Sequence, residues 1–139
     1  MKKHIAGLFG FGLLLAAASA HAQITETIQV KVPFSFVAAG KTFPTADYTI
    51  KITQPTGLVT LTAANVGPAI VMSNTNEHPG MQGGKTYLKF ERYGDSWVLE
   101  EVAYDGTEQV LHRSKIEQRL AQLKPSGEQT LMASNVAGH

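Results

Sequence analysis

Polar and apolar residues alternate along 24–36. The even positions read Ile, Glu, Ile, Val, Val, Phe, Phe and the odd ones Thr, Thr, Gln, Lys, Pro, Ser. Only Glu26 interrupts the apolar series. A period of two over this length predicts a β-strand with one buried and one wet face. Pro33 has no N–H to give to a ladder, so it sets this strand at an edge or at a bend. Shorter strands are predicted over 47–53, 58–64 and 69–73, the last of them an apolar run suited to an interior position. Gln54-Pro55-Thr56-Gly57 reads as the turn between the first two, and Asn65-Val66-Gly67-Pro68 separates the second from the third.

A polar, glycine-rich loop is expected over 74–84. Beyond it, 85–92 and 96–104 flank Tyr93-Gly94-Asp95, the spacing of a hairpin in which glycine supplies the positive φ. In the first arm Leu88 and Phe90 share a face and Tyr87 takes the other. In the second, alternation puts Trp97 with Leu99, and Val98 with Val102 opposite them, so both faces of that arm are partly covered. Asp105-Gly106 marks another tight turn, and 107–112 gives a last strand.

Ser114-Lys115-Ile116-Glu117 fits the S-x-x-E capping box. Ile116, Leu120 and Leu123 follow at i, i+4 and i+7, which predicts a helix over about 114–123 with one apolar face, ended by Pro125. Residues 125–139 carry few large side chains and read as a mobile tail. The fold expected for 23–124 is all-β: a small sandwich or barrel of six to seven mostly antiparallel strands with one C-terminal helix.

The first 22 residues are of another kind. Lys2 and Lys3 precede an apolar stretch over 5–18, and Ala20-His21-Ala22 is an A-x-A cleavage site. This is the pattern of a secretory signal peptide cleaved before Gln23. The apolar run is shorter than the roughly 20 residues a membrane-spanning helix needs. The expected location is therefore periplasmic or extracellular, with no membrane span after cleavage. The leader holds two of the 12 basic residues, leaving 10 against 11 acidic ones. A balance so close to zero argues against nucleic acid as a partner. The chain has no cysteine, which excludes disulfides, thiol catalysis and cysteine-ligated zinc.

Val32-Pro33-Phe34-Ser35-Phe36, Gly40-Lys41-Thr42-Phe43-Pro44 and Tyr48-Thr49-Ile50, with Arg92-Tyr93-Gly94-Asp95-Ser96-Trp97 and the helix start at Ser114, form a set of motifs. In these the chain resembles a group of uncharacterised small secreted bacterial β-proteins, over roughly 30–120. The resemblance implies a shared fold and carries no activity. The family-like turn before the tyrosine tends to carry glycine, where this chain has Thr45-Ala46-Asp47; Asp47 is the residue expected to take the turn conformation.

Glu100, Glu101 and Asp105 are the densest acidic cluster, and paired carboxylates are the equipment of glycoside hydrolysis. Alternation, however, sends Glu100 and Glu101 to opposite faces. His78, His112 and His139 have no metal-ligand spacing, and no serine sits in a G-x-S-x-G turn. Gly80, Gly83 and Gly84 make a weak phosphate cradle: Gly84-Lys85-Thr86 echoes the end of a P-loop, but the Gly-x₄-Gly spacing is missing upstream and a strand, not a helix, is predicted to follow. No catalytic residue, metal site or cofactor is assigned. Tyr87, Arg92, Tyr93 and Trp97 are the candidate ligand-binding residues, as a stacking platform around the hairpin.

The functional expectation is a non-catalytic secreted binding domain for a protein, a glycan or a small apolar ligand. One alternative is self-association by pairing at the edge of the first strand, near Val30. The other is a hydrolase with an acidic pair drawn from Glu91, Glu100, Glu101 and Asp105.

Overall fold

The computed structural model describes residues 23–77 and 84–136. The leader, His78, His139 and the glycines at 80 and 83 lie outside the described residues. The chain is predominantly β, with eleven strands in one connected mixed sheet and a single helix among the described residues.

The sheet has two halves that share one long strand. β1 (Ile24–Val32), β4 (Ala46–Gln54), β5 (Leu58–Ala63) and the first part of β6 (Val66–Glu77) form an antiparallel meander. The second part of β6, from Ser73 onward, pairs with β9 (Thr107–Leu111). The other half continues through β8 (Ser96–Tyr104) and β7 (Tyr87–Tyr93). Residues expected to be loop at 74–77 are thus strand. All four are exposed, so this end of β6 is held by main-chain pairing with β9 rather than by burial.

The long alternation from 24 to 36 is two strands in phase. The β1 ladder ends at Val32, before the proline that cannot donate to it. After Pro33 the chain changes partners. β2 (Phe36–Ala38) pairs in parallel with β8, at Phe36 with Trp97 and Val37 with Val98, and antiparallel with β3 (Lys41–Phe43). Ala39 and Gly40, both at positive φ (51° and 73°), make the two-residue turn between β2 and β3. Asp47 is not a turn residue: it lies inside β4, opposite Lys31.

One hydrophobic cluster takes side chains from both halves: Ile28, Val30, Ile50, Ile52, Val59, Leu61 and Val71 from the first, Leu88, Phe90, Leu99, Val102 and Leu111 from the second. Phe36 is its hub, with its ring centroid 5.3 Å from Phe43, 5.2 Å from Tyr48 and 5.3 Å from Phe90. Val30 belongs to this core at 6% exposure, so a charge placed there would disrupt the fold rather than probe an edge. Gly57 is required where β5 begins. Its φ is +72°, and a Cβ would stand 2.8 Å from the Ser73 carbonyl oxygen.

The helix α1 (Lys115–Leu120) is shorter than the 114–123 expected. In six residues the i, i+4, i+7 stripe has no room to form. Ile116 and Leu123 stay exposed, and Leu120 with Ala121 packs on a second cluster of Val37, Tyr93 and Val98. The segment after Pro125 is paired rather than loose. β10 (Pro125–Met132) runs along β7, and β11 (Ser134–Asn135) along β1. Its lack of large side chains is no obstacle, because an edge strand is held through main-chain hydrogen bonds.

Candidate functional site

Glu100 and Glu101 meet on one face, against simple alternation. Along the β7–β8 ladder Lys89 pairs with Glu101, but Phe90 pairs with Leu99, so Glu100 is the extra residue of a bulge. Lys89 and Tyr93 share the outer face of β7. Lys89 Nζ lies 3.8 Å from Glu101 Oε2, and the Tyr93 hydroxyl lies 3.3 Å from Glu100 Oε1. The bulge also separates Val98 from Val102: Val102 joins the main core with Leu99, and Val98 stays with Tyr93 under the helix.

Tyr93 is the centre of this cluster. It is 3% exposed, and its hydroxyl donates to Glu91 Oε2 at 2.5 Å. Arg113, in the connection from β9 to α1, sets Nη2 3.2 Å from the Tyr93 oxygen and 3.2 Å from each oxygen of Glu100. Burial, the Glu91 hydrogen bond and the nearby carboxylate charges hold the Tyr93 pKa well above the ordinary tyrosine range. The phenol therefore keeps its proton and works as a donor. Burial also raises the Glu101 carboxyl, helped by the charge of Glu108 and opposed by Lys89. Burial disfavours the Arg113 charge, but Glu100 outweighs it and the net shift is upward. The outcome is a phenol shared by two carboxylates and clamped by a guanidinium. Such a set fixes the junction of sheet and helix. An open groove of about 330 Å³ lies elsewhere, over Gln29, Lys31, Asp47 and Thr49. A smaller recess of about 70 Å³ is lined by Lys85, Tyr87, Ala103 and Glu108. Neither includes Tyr93 or Glu100.

The four aromatic and cationic candidates divide between the two faces of the sheet. Arg92 and Trp97 are cross-strand neighbours, with the guanidinium carbon 5.9 Å from the ring centroid. Phe34 stacks on that ring at 4.9 Å, and Gly127 of β10 backs against it. Arg92 further pairs with Asp95 at 3.7 Å. Tyr93 lies on the opposite face, buried under α1. Tyr87 shares that face but stands at the other end of β7, with its hydroxyl 3.5 Å from Glu108 Oε1. The structure thus brings Arg92 and Trp97 together and keeps Tyr87 and Tyr93 apart from them.

Three polar residues matter more than their sequence context suggests. Glu117 is 2% exposed, and its Oε2 accepts from the backbone N–H of Ser114 at 3.0 Å and of Gly40 at 3.2 Å, as well as from the Ser114 hydroxyl. The capping box signalled its bond to Ser114, but not its reach to the β2–β3 turn. Gln109 is fully buried, with Oε1 accepting from Ser73 Oγ at 2.8 Å and Thr75 Oγ1 at 2.9 Å, while its Nε2 has no hydrogen-bond partner among the described residues. Arg113 carried no signal, since nothing in the pattern links it to a carboxylate on another strand. His112 Nε2 lies 3.0 Å from Asn74 Oδ1. No group of three or more histidine or acidic side chains converges as a metal site among the described residues. No family model, curated protein or solved structure matches the chain.

Proposed function

We propose that this chain is an exported, non-catalytic binding domain that meets an apolar partner surface or ligand through the outer face of β5 and β6. The observation that carries the reading is the pair Ile70 and Met72, exposed at 64% and 44%. They alternate with the core residues Ala69 and Val71, so they stand outward together. Leu58 lies across from Met72 and Thr60 across from Ile70. Covering a side chain of this size contributes about 1.5–3 kcal/mol when burial is complete. A protein surface or a small apolar molecule therefore suits this face better than a glycan does.

The reading includes export by the leader over 1–22 and work in the periplasm or outside the cell, in keeping with the resemblance to secreted β-proteins. It also takes the two half-sheets as a small sandwich, packed face to face around Phe36. The hydrolase alternative is less well supported, because both oxygens of Glu100 are occupied by Arg113. Ile70→Lys with Met72→Lys tests the proposal: binding should be lost while the thermal transition is retained.

A further inference from the structure

The last strands add little to the core. No residue from 121 to 136 is buried. In β10 only Gly127 and Leu131 are even half-buried, and from this segment only Leu131 and Ala133 touch the main core. The segment nonetheless closes both ends of the sheet path. It pairs with β7 from Gly127 opposite Arg92 to Met132 opposite Tyr87. It continues through Ala133 N–H to the Thr86 carbonyl at 3.0 Å, and then pairs with β1 at Ile28 and Gln29. Val136 N–H to the Thr27 carbonyl, at 2.8 Å, ends the run. Its hold on the domain is therefore mostly main-chain, and main-chain pairing is indifferent to which molecule supplies the strand.

Side chains make the two edges selective for this segment. Lys89 Nζ lies between Glu101 and Glu128, at 3.8 and 3.9 Å. Ser126 Oγ reaches the Arg92 carbonyl at 3.3 Å, and Thr86 hydrogen-bonds to Asn135. Upstream, the turn after α1 is formed by Gln122, Leu123 and Lys124, all exposed, so straightening it exposes little apolar surface and breaks two main-chain hydrogen bonds, Gln122 N–H to the Arg119 carbonyl and Leu123 N–H to the Leu120 carbonyl.

We infer that segment 125–136 is an exchangeable clasp, and that the partner fitted to the β7 and β1 edges is the same segment of a second copy of this chain. Two copies trading clasps form a reciprocal dimer with every ladder of the monomer retained. The tethered segment competes at an effective concentration in the millimolar range, so exchange is favoured by concentrated protein or by refolding copies together. This inference does not depend on the β5–β6 face.

The absence of cysteine gives a clean test. Lys89 and Thr130 are directly opposed, and opposed residues in antiparallel strands sit about 4.5–5.5 Å apart, within disulfide reach. Lys89→Cys and Thr130→Cys are made as separate chains, mixed, and oxidised both after concentrated incubation and after refolding together. The expected result is a mixed disulfide dimer formed at least several-fold more than between Lys89→Cys and a collision control, Lys115→Cys, exposed at the start of α1. Cross-linking no greater than the control under both conditions overturns the inference. Should either variant fail to fold, Tyr87→Cys with Met132→Cys, the next opposed pair on the same face, makes the same comparison.

Discussion

The Tyr93 hydroxyl stands 2.5 Å from a carboxylate oxygen of Glu91, its neighbour two places back on the same strand face. A donor so placed keeps its proton, and the raised pKa gives the direction of the pH effect. The folded state holds the phenol proton more tightly than the unfolded state, whose tyrosines titrate near about 10. The stability contributed is present below that value and is lost as pH rises above it. Tyr93→Phe should cost about 1–3 kcal/mol at neutral pH, since Glu91 loses its donor. The gap between wild type and variant should then narrow above about pH 10. Urea titrations from pH 7 to 11 measure both, and a constant gap would contradict the assignment.

Glu117 ties the helix start to the β2–β3 turn. Glu117→Ala leaves the N–H groups of Gly40 and Ser114 without their acceptor and should cost about 1–3 kcal/mol. Glu117→Gln keeps an acceptor oxygen and should lose less. Hydrogen exchange should report the same distinction at the Gly40 amide, fast in the alanine variant and slower in the glutamine one. Equal exchange at Gly40 in wild type and Glu117→Ala would show that the carboxylate does not hold the turn.

Ala39 occupies the left-handed region at φ 51°, where a Cβ costs roughly 1–2 kcal/mol. Glycine relieves that strain but gains freedom when unfolded, at about 0.4–1 kcal/mol. The half-buried Ala39 methyl packs against the main core, and its loss takes back up to about 0.8 kcal/mol, so Ala39→Gly should be neutral to stabilising by about 1 kcal/mol or less. This would be unusual for an alanine-to-glycine change, and a calorimetric midpoint clearly below wild type would contradict it.

Local pattern carried most of the strands and missed where they change partners. The 47–53 strand, the hairpin around Gly94 and the capping box at Ser114 follow from alternation, turn chemistry and a four-residue signature, each local to the chain. The bulge at Glu100 does not, because it depends on how β8 divides one edge between β2 and β9. That single extra residue turns Glu100 toward Tyr93 and Arg113 and puts Val102 in the core. Pro33 was legible as an interruption, but not as the point where the chain leaves β1 for the other half of the sheet. The strand at 125–132 had no apolar pattern to show, since its side chains hardly enter the core. The candidate platform divided because Tyr93 and Trp97, close in sequence, face opposite sides.

A β5–β6 face that binds an apolar partner or ligand outside the cytoplasm, as proposed, should hold that ligand in the host itself. Native mass spectrometry of the chain isolated from its own host, beside the Ile70→Lys, Met72→Lys double variant, tests it most directly. The expected result is a chain beginning at Gln23 that carries an added mass in the wild type and loses it in a variant that melts as wild type does. A wild-type chain with no added mass, or one whose added mass survives in the double variant, would contradict the account.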